Sequence, residues 1–276
     1  MQKFDWHWQT RDGLQLYARA FTPEMPHAVV VLIHGHGEHS GRYLHVADAF
    51  CSAGYALATF DLRGHGLSDG QRGHCASYDA LMDDIGDFLT QTEHRFVGLP
   101  VFLYGHSLGG NLVTNFVLRR ESSVSGVLVT GPWFRLAFEP PAAKITLGQM
   151  MDQISPAFTQ PSGLDVSGIS REGNVVNAYT GDPLVHSKIT ARSFIAFYNA
   201  GLWVLEHAAK LKIPMLLMHG TADRLTSPSA TQDFARKAGE LVTLRLWEGL
   251  FHEIHNEPEQ GQVIQSMIAW MDEHLT

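Results

Sequence analysis

Apolar positions recur along this chain in two rhythms. Residues 28–33, 55–60 and 101–104 are short, nearly unbroken apolar runs, the pattern of strands buried on both faces. Residues 124–130, 213–218 and 242–247 read as further strands. Between these runs the apolar side chains return at helical spacing. Leu81, Ile85, Phe88 and Leu89 mark an amphipathic helix over 77–96, and Val263, Ile264, Met267, Ile268 and Met271 share one face of a last helix. The pattern predicts shorter helices over 43–52 and 229–238 and a longer one over 189–211. Residues 4–21 instead alternate apolar and polar positions around Arg11-Asp12-Gly13, which predicts an antiparallel hairpin.

Strand and helix in alternation predict an α/β architecture, a mostly parallel sheet with helices on both faces. The rhythm fails over 133–188, where Pro140, Pro141, Pro156 and Pro161 fall among Met150, Met151 and scattered aromatics. This stretch is expected to be an inserted lid, dividing the core into 1–132 and 189–276. Neither an internal repeat nor a low-complexity tract interrupts the chain.

Length and composition narrow the class. A chain of 276 residues buries roughly three quarters of the surface that its unfolded form exposes, so a hydrophobic core alone can hold it. With 45% hydrophobic and 17% charged residues it is a globular sequence. The net charge is −8 and no basic run is present, which argues against nucleic acid as a partner. Cys51 and Cys75 form no disulfide framework and are expected as small buried apolar residues. The first eight residues lack the apolar run of a signal peptide and no stretch reaches transmembrane length. A soluble, cytoplasmic protein is the expectation.

The chemistry centres on Gly105-His106-Ser107-Leu108-Gly109. A bare Gly-x-Ser-x-Gly is common by chance. Here it follows a buried strand and precedes a helix-like run, the setting of a nucleophile elbow that lifts a serine hydroxyl clear of the sheet. Gly105 and Gly109 flank the serine, where two backbones must approach too closely for a Cβ. The helix starting after Ser107 turns its free N–H groups and positive dipole end toward the site.

A serine needs a base to take its proton, and that base needs an orienting acid. In doubly wound sheets these residues stand on loops at the carboxyl ends of strands, in the order serine, acid, histidine. Asp223 follows the strand expected at 213–218, and His252 follows the one at 242–247. Acyl transfer also needs donors for an oxyanion. The N–H of Leu108 is one candidate. The N–H of His36 is the other, in a loop that Gly35 and Gly37 leave free to turn.

That loop, His34-Gly35-His36-Gly37-Glu38-His39, has a second reading. It resembles the His-x-His-x-Asp-His zinc run of metallo-β-lactamase-like hydrolases, with Glu38 in place of the Asp, and histidines at i and i+2 can share a metal. Such a site has no use for the elbow or for Asp223 and His252 in order, so no metal or cofactor is expected.

Taken together the motifs resemble the monoacylglycerol lipase and lysophospholipase branch of the α/β-hydrolase superfamily. The resemblance lies in residues 34–43 (His34-Gly35-His36-Gly37-Glu38-His39-Ser40-Gly41-Arg42-Tyr43), 61–70, 105–110, 220–224 and 247–255. It implies an α/β-hydrolase fold and a catalytic triad of Ser107, Asp223 and His252. The amides of His36 and Leu108 would then form the oxyanion hole. It further implies that Glu38, Tyr179 and His255 line a polar pocket for the leaving alcohol. Asp61, Arg63 and His65 read as a structural brace beneath the site.

The expected activity is hydrolysis of monoacylglycerols or similar single-chain esters through an acyl-enzyme. The substrate is then a small lipid ester. The aromatic and Met content of the lid suits an acyl tunnel or a rim that touches a membrane transiently. A lysophospholipase or general esterase is the nearest alternative within the enzyme class. A metal-dependent hydrolase and a non-catalytic binding protein on the same scaffold are the competitors from other classes. An aminopeptidase needs an acidic group for the substrate amine, for which Glu38 is the one candidate. The serine at the elbow excludes an aspartate-nucleophile dehalogenase or epoxide hydrolase.

Overall fold

The computed structural model describes residues 1–275. Strands β1 (Gln2–Gln9) and β2 (Gln15–Thr22) form the hairpin that alternation predicts, joined at residues 10–14. Strand β3 (Ala28–Ile33) is followed by a 3₁₀ turn, helix α1 (Leu44–Ser52) and strand β4 (Tyr55–Phe60). Helix α2 (Tyr78–Arg95) begins where the Ser77 hydroxyl accepts the N–H of Ala80, a side-chain cap on the first turn. Strand β5 (Val101–His106), helix α3 (Leu108–Arg119) and strand β6 (Gly126–Thr130) complete the first part of the core.

Residues 131–190 leave the sheet. They carry helix α4 (Ala142–Ile154), strand β7 (Thr159–Pro161), helix α5 (Gly173–Gly181) and strand β8 (Lys188–Thr190), with β7 and β8 paired as a short antiparallel ribbon. Helix α6 (Ala191–His207) returns to the core, followed by β9 (Met215–Gly220), α7 (Pro228–Ala238), β10 (Val242–Trp247) and α8 (Gln260–Glu273).

The eight-stranded sheet runs β1-β2-β4-β3-β5-β6-β9-β10. Pairing is parallel from β4 through β10 and antiparallel at the β1-β2-β4 end. Every residue of β3, β4, β5, β6 and β9 is buried, whereas the edge strand β10 is only half-buried. The period of two along a strand sorts side chains between two cores. Val29, Val31 and Ile33 pack with Phe88 of α2, Phe116 of α3 and Phe234 of α7. Val30 and Leu32 face the other way, toward Phe50 of α1 and Met267 and Met271 of α8.

Two boundaries differ from the sequence expectation, each for a physical reason. The strand expected at 213–218 runs instead from Met215 to Gly220. Pro214 has no N–H to give a ladder, and its carbonyl accepts Val127 N–H just before pairing begins. His219 therefore belongs to the strand, paired with Leu246. The helix expected at 189–211 loses its first residues to β8, and residues 208–210 tighten into a 3₁₀ turn.

The inserted stretch is held unevenly. His186 N–H donates to Gly37 O at 2.9 Å, Thr190 N–H to Gly73 O at 3.1 Å and Glu253 N–H to Ile169 O at 2.7 Å. Arg171 pairs with the buried Glu257. Helix α4, by contrast, has no buried residue. Leu147, Met150 and Ile154, spaced three and four residues apart, are 58%, 54% and 75% exposed.

The close crossing at the elbow is the tightest constraint on the core. A Cβ on Gly109 would collide with the carbonyl oxygen of Ile33, and one on Gly105 with the carbonyl oxygen of Gly109. Neither obstacle is a side-chain tip that could swing aside. Gly109→Ala should therefore lower stability by about 1–3 kcal/mol, the ordinary cost of overpacking, read as a reduced urea midpoint. An unchanged midpoint would show that β3 and α3 are free to separate.

Candidate active site

Ser107 sits between β5 and α3 with φ 55° and ψ −115°, the one non-glycine residue at positive φ among those described. Such a conformation costs about 1–3 kcal/mol and persists only where the surroundings enforce it. Here they do. Ser107 N–H donates to Thr130 O at 3.0 Å, and Ser107 O accepts Asn111 N–H and Trp133 N–H, each at 3.0 Å.

Leu108 is the first residue of α3, so its N–H has no acceptor within the helix. The N–H of His36, in the loop after β3, likewise meets no protein acceptor among the described residues. Gly35 brings that loop against the elbow, where a Cβ on it would lie 3.1 Å from Ser107 Cβ. Glu38 folds back to fix the loop, its Oε1 accepting Gly35 N–H at 2.6 Å and the Tyr43 hydroxyl at 2.7 Å.

Asp223 lies in the turn after β9 and is buried. Its Oδ1 accepts the N–H groups of Leu225 at 2.7 Å and Thr226 at 3.0 Å. Its Oδ2 lies 2.7 Å from His252 Nδ1, 2.9 Å from His219 Nε2 and 2.9 Å from Thr226 Oγ1. Burial alone would raise the Asp223 pKa. The charge of His252 and hydrogen bonds from His219 and His252 overcome it and hold the carboxyl far below its usual range.

An ionised carboxylate only accepts, so His252 carries its proton on Nδ1 and leaves Nε2 with a lone pair. Burial pushes the His252 pKa down. The Asp223 charge and hydrogen bond push it up by more, aided by Glu253 and Glu38, and the net shift is upward. Ser107 and His252 line one cavity of about 820 Å³. Ser107 Oγ and His252 Nε2 take no hydrogen-bond partner among the described residues, each other included.

The cavity has two ends. Trp133, Leu136, Leu147, Met151, Phe158 and Phe194 make an apolar wall contributed by the inserted stretch and α6. Glu38, His106, Tyr179 and Glu253 line it near Ser107. At that end Arg42 Nη1 lies 2.7 Å from Glu38 Oε2 and 2.6 Å from Glu253 Oε1, with its Nη2 2.7 Å from Glu253 Oε2. The Tyr179 ring lies over the guanidinium at 4.7 Å. Burial would raise the Glu38 pKa, but the Arg42 charge together with His106, His34 and the Tyr43 hydroxyl outweighs it and lowers the pKa. Tyr179 is raised, chiefly by burial and then by Glu38 and Glu253.

His255 is placed differently from Glu38 and Tyr179. A 3₁₀ turn over Ile254–Asn256 takes it beneath the site, where it is fully buried and absent from the cavity wall. Its ring stacks on Tyr43 at 5.0 Å and meets His106 edge-on at 4.7 Å. Burial, then His106 and His45, hold its pKa well below the usual histidine value. Neither of its ring nitrogens has a hydrogen-bond partner among the described residues.

The ring nitrogens of His36 have no hydrogen-bond partner among the described residues, and the other ligand side chains of the 34–39 run are engaged in different directions. His34 Nε2 accepts Leu62 N–H at 2.9 Å, Glu38 is bound to Arg42, and His39 Nε2 lies 2.9 Å from Asp182 Oδ2. Among the described residues no group of three or more His, Cys, Asp or Glu is arranged to hold a metal. Asp61 accepts the N–H groups of Ser40 and Leu67, each at 2.8 Å, and so ties the loops after β3 and β4 together. Sequence reasoning overlooked His219, Thr226 and Glu253. The visible signal was spacing alone: His219 stands four residues before Asp223, and Glu253 directly follows His252.

A family model described as serine aminopeptidase, S33, matches residues 24–259. An uncharacterized abhydrolase domain-containing protein of Dictyostelium discoideum is 35% identical over 96% of this chain, which spans 28% of that protein's length. A monoacylglycerol lipase of Mycolicibacterium smegmatis is 33% identical over 95% of both chains. The crystal structure of Paleococcus ferrophilus monoacylglycerol lipase matches with a TM-score of 0.87 at 32% identity, covering 94% of this chain and 99% of that one. This chain belongs to the serine aminopeptidase S33 family of α/β-hydrolases, in the branch that holds the monoacylglycerol lipases.

Proposed function

We propose that the protein is a serine ester hydrolase that cleaves monoacylglycerols through an acyl-enzyme. The observation that carries this reading is the shared cavity, lined by Ser107 and His252 together with apolar side chains of the inserted stretch and the carboxylates Glu38 and Glu253. Ser107 Oγ attacks the ester carbonyl while His252 Nε2 takes its proton. The amides of His36 and Leu108 receive the oxyanion. His252 then gives the proton to the departing alcohol, and Asp223 holds the imidazole tautomer throughout. Water repeats the sequence on the acyl-enzyme.

Residues 133–188 act as a lid over the acyl chain, where each buried methylene contributes roughly 0.8 kcal/mol. Glu38 and Tyr179 border the space for the alcohol. The exposed apolar face of α4 suits transient contact with a lipid surface; among the described residues no helix is long and apolar enough to cross a membrane. Peptidase activity finds less support, despite the family's description. Glu38 and Glu253 both pair with Arg42, so neither carboxylate is free for a substrate ammonium.

Ser107→Ala should bring ester turnover to near background with an unchanged far-UV spectrum; retained activity would end the proposal. Across an ester panel, monoacylglycerols should exceed lysophospholipids and di- and triacylglycerols in kcat/KM. A preference for lysophospholipids would reassign the alcohol site. His252 must be neutral to act as base, and its pKa is raised above the ordinary 6.5. Activity should therefore be full at high pH and fall as pH drops through a midpoint above 6.5, read from the acid limb of kcat/KM. A limb centred below 6.5 would contradict the pairing of His252 with Asp223.

A further inference from the structure

Two imidazoles face the same carboxylate oxygen. His252 Nδ1 and His219 Nε2 lie 2.7 Å and 2.9 Å from Asp223 Oδ2. An ionised carboxylate offers only lone pairs, so both nitrogens must carry hydrogen. The other ring nitrogen of His219, Nδ1, lies 2.7 Å from the hydroxyl of Thr231 in the first turn of α7, a group able to donate to it. With the proton of a neutral ring on Nε2, Nδ1 accepts and Thr231 donates. His219 and Thr231 are both fully buried, and neither lines the cavity. Contact with substrate is therefore not what His219 does.

Holding the carboxylate in place does not require it either. Oδ1 is already gripped by the N–H groups of Leu225 and Thr226, and the Thr226 hydroxyl lies 2.9 Å from Oδ2. The His219 bond also falls on Oδ2, the oxygen that faces the base. A donor there draws off charge that would otherwise stabilise the imidazolium of His252. We infer that His219, an Nε2–H donor to Asp223 backed by the Thr231 hydroxyl, is a positioning residue that sets the basicity of His252 through Asp223 Oδ2. The inference rests on Asp223 and His252 acting as proposed above. The other titratable groups near His252 are Glu253 beside it, Glu38 from the loop after β3, His106 at 4.8 Å between ring centroids, and His255. None of them changes in the variants below.

The test compares acid limbs of kcat/KM on a soluble monoacylglycerol for the wild-type enzyme, His219→Leu, His219→Gln and Thr231→Val. His219→Leu removes the donor, so the limb should move to higher pH, with about a tenfold loss of kcat/KM at pH 7, the scale of one hydrogen bond to a charge. Glutamine can donate from its amide nitrogen to Asp223 and accept the Thr231 hydroxyl, so His219→Gln should restore the wild-type limb. Thr231→Val should move the limb in the same direction as leucine, by less. Nitrogen-15 NMR of the unmodified enzyme reads the tautomer directly and does not depend on any variant folding. A protonated Nδ1 on His219, or limbs that coincide for the wild type and the leucine and valine variants, would overturn the inference. Ser107→Ala separates the two readings. If that variant is inactive while these tests fail, only the role of His219 is lost; if it is active, the catalytic assignment falls with it.

Discussion

A buried carboxylate is costly unless its lone pairs are answered, and the charge on Asp223 is answered from several elements at once. Its donors come from its own turn, from β9 through His219 and from the loop after β10 through His252. Leaving any of them unmade would strand charge in the protein interior. The loops at the carboxyl ends of β9 and β10 are therefore drawn to one point, and His252 has little freedom to turn its base nitrogen elsewhere. The order of strands brings the nucleophile to the same place, because β6 stands between β5 and β9 and its Thr130 carbonyl anchors Ser107 N–H.

A second charged knot does for the other loops what Asp223 does for these. Arg42 joins Glu38, which holds Gly35 N–H, to Glu253, the neighbour of His252. The loop carrying the His36 amide and the loop carrying the base are thus bound through one guanidinium. A planar fork with several donors suits this bridging better than a lysine would. Tyr179 of α5 covers the knot, so the polar end of the cavity is assembled from both core and insertion.

The sheet was legible because burial leaves an unmistakable trace: β3, β4 and β5 are inside on both faces and therefore apolar at nearly every position. The elbow was legible because Gly105 and Gly109 answer a backbone contact that side chains forbid. The insertion was not. The apolar residues of helix α4 face outward instead of packing on the core, among prolines that break the rhythm, and β7 is three residues ending in Pro161. The placement of His255 was not legible either, because type and position do not reveal that the turn at 254–256 directs its ring beneath the site, against Tyr43. His219 went unnoticed for another reason. Its role depends on the strand continuing past Met218, a matter of ladder pairing with β10 that residue types do not reveal.

The uneven anchoring of the insertion divides chemistry from selectivity. Residues 168–171 are bonded to the loop of His252 and the segment after it, so changes there would be felt by the base. Helix α4 contributes Leu147 and Met151 to the cavity lining yet has no buried residue of its own. Natural drift, or a designer, can therefore exchange this helix to suit chains of other lengths while the reacting groups stay where they are.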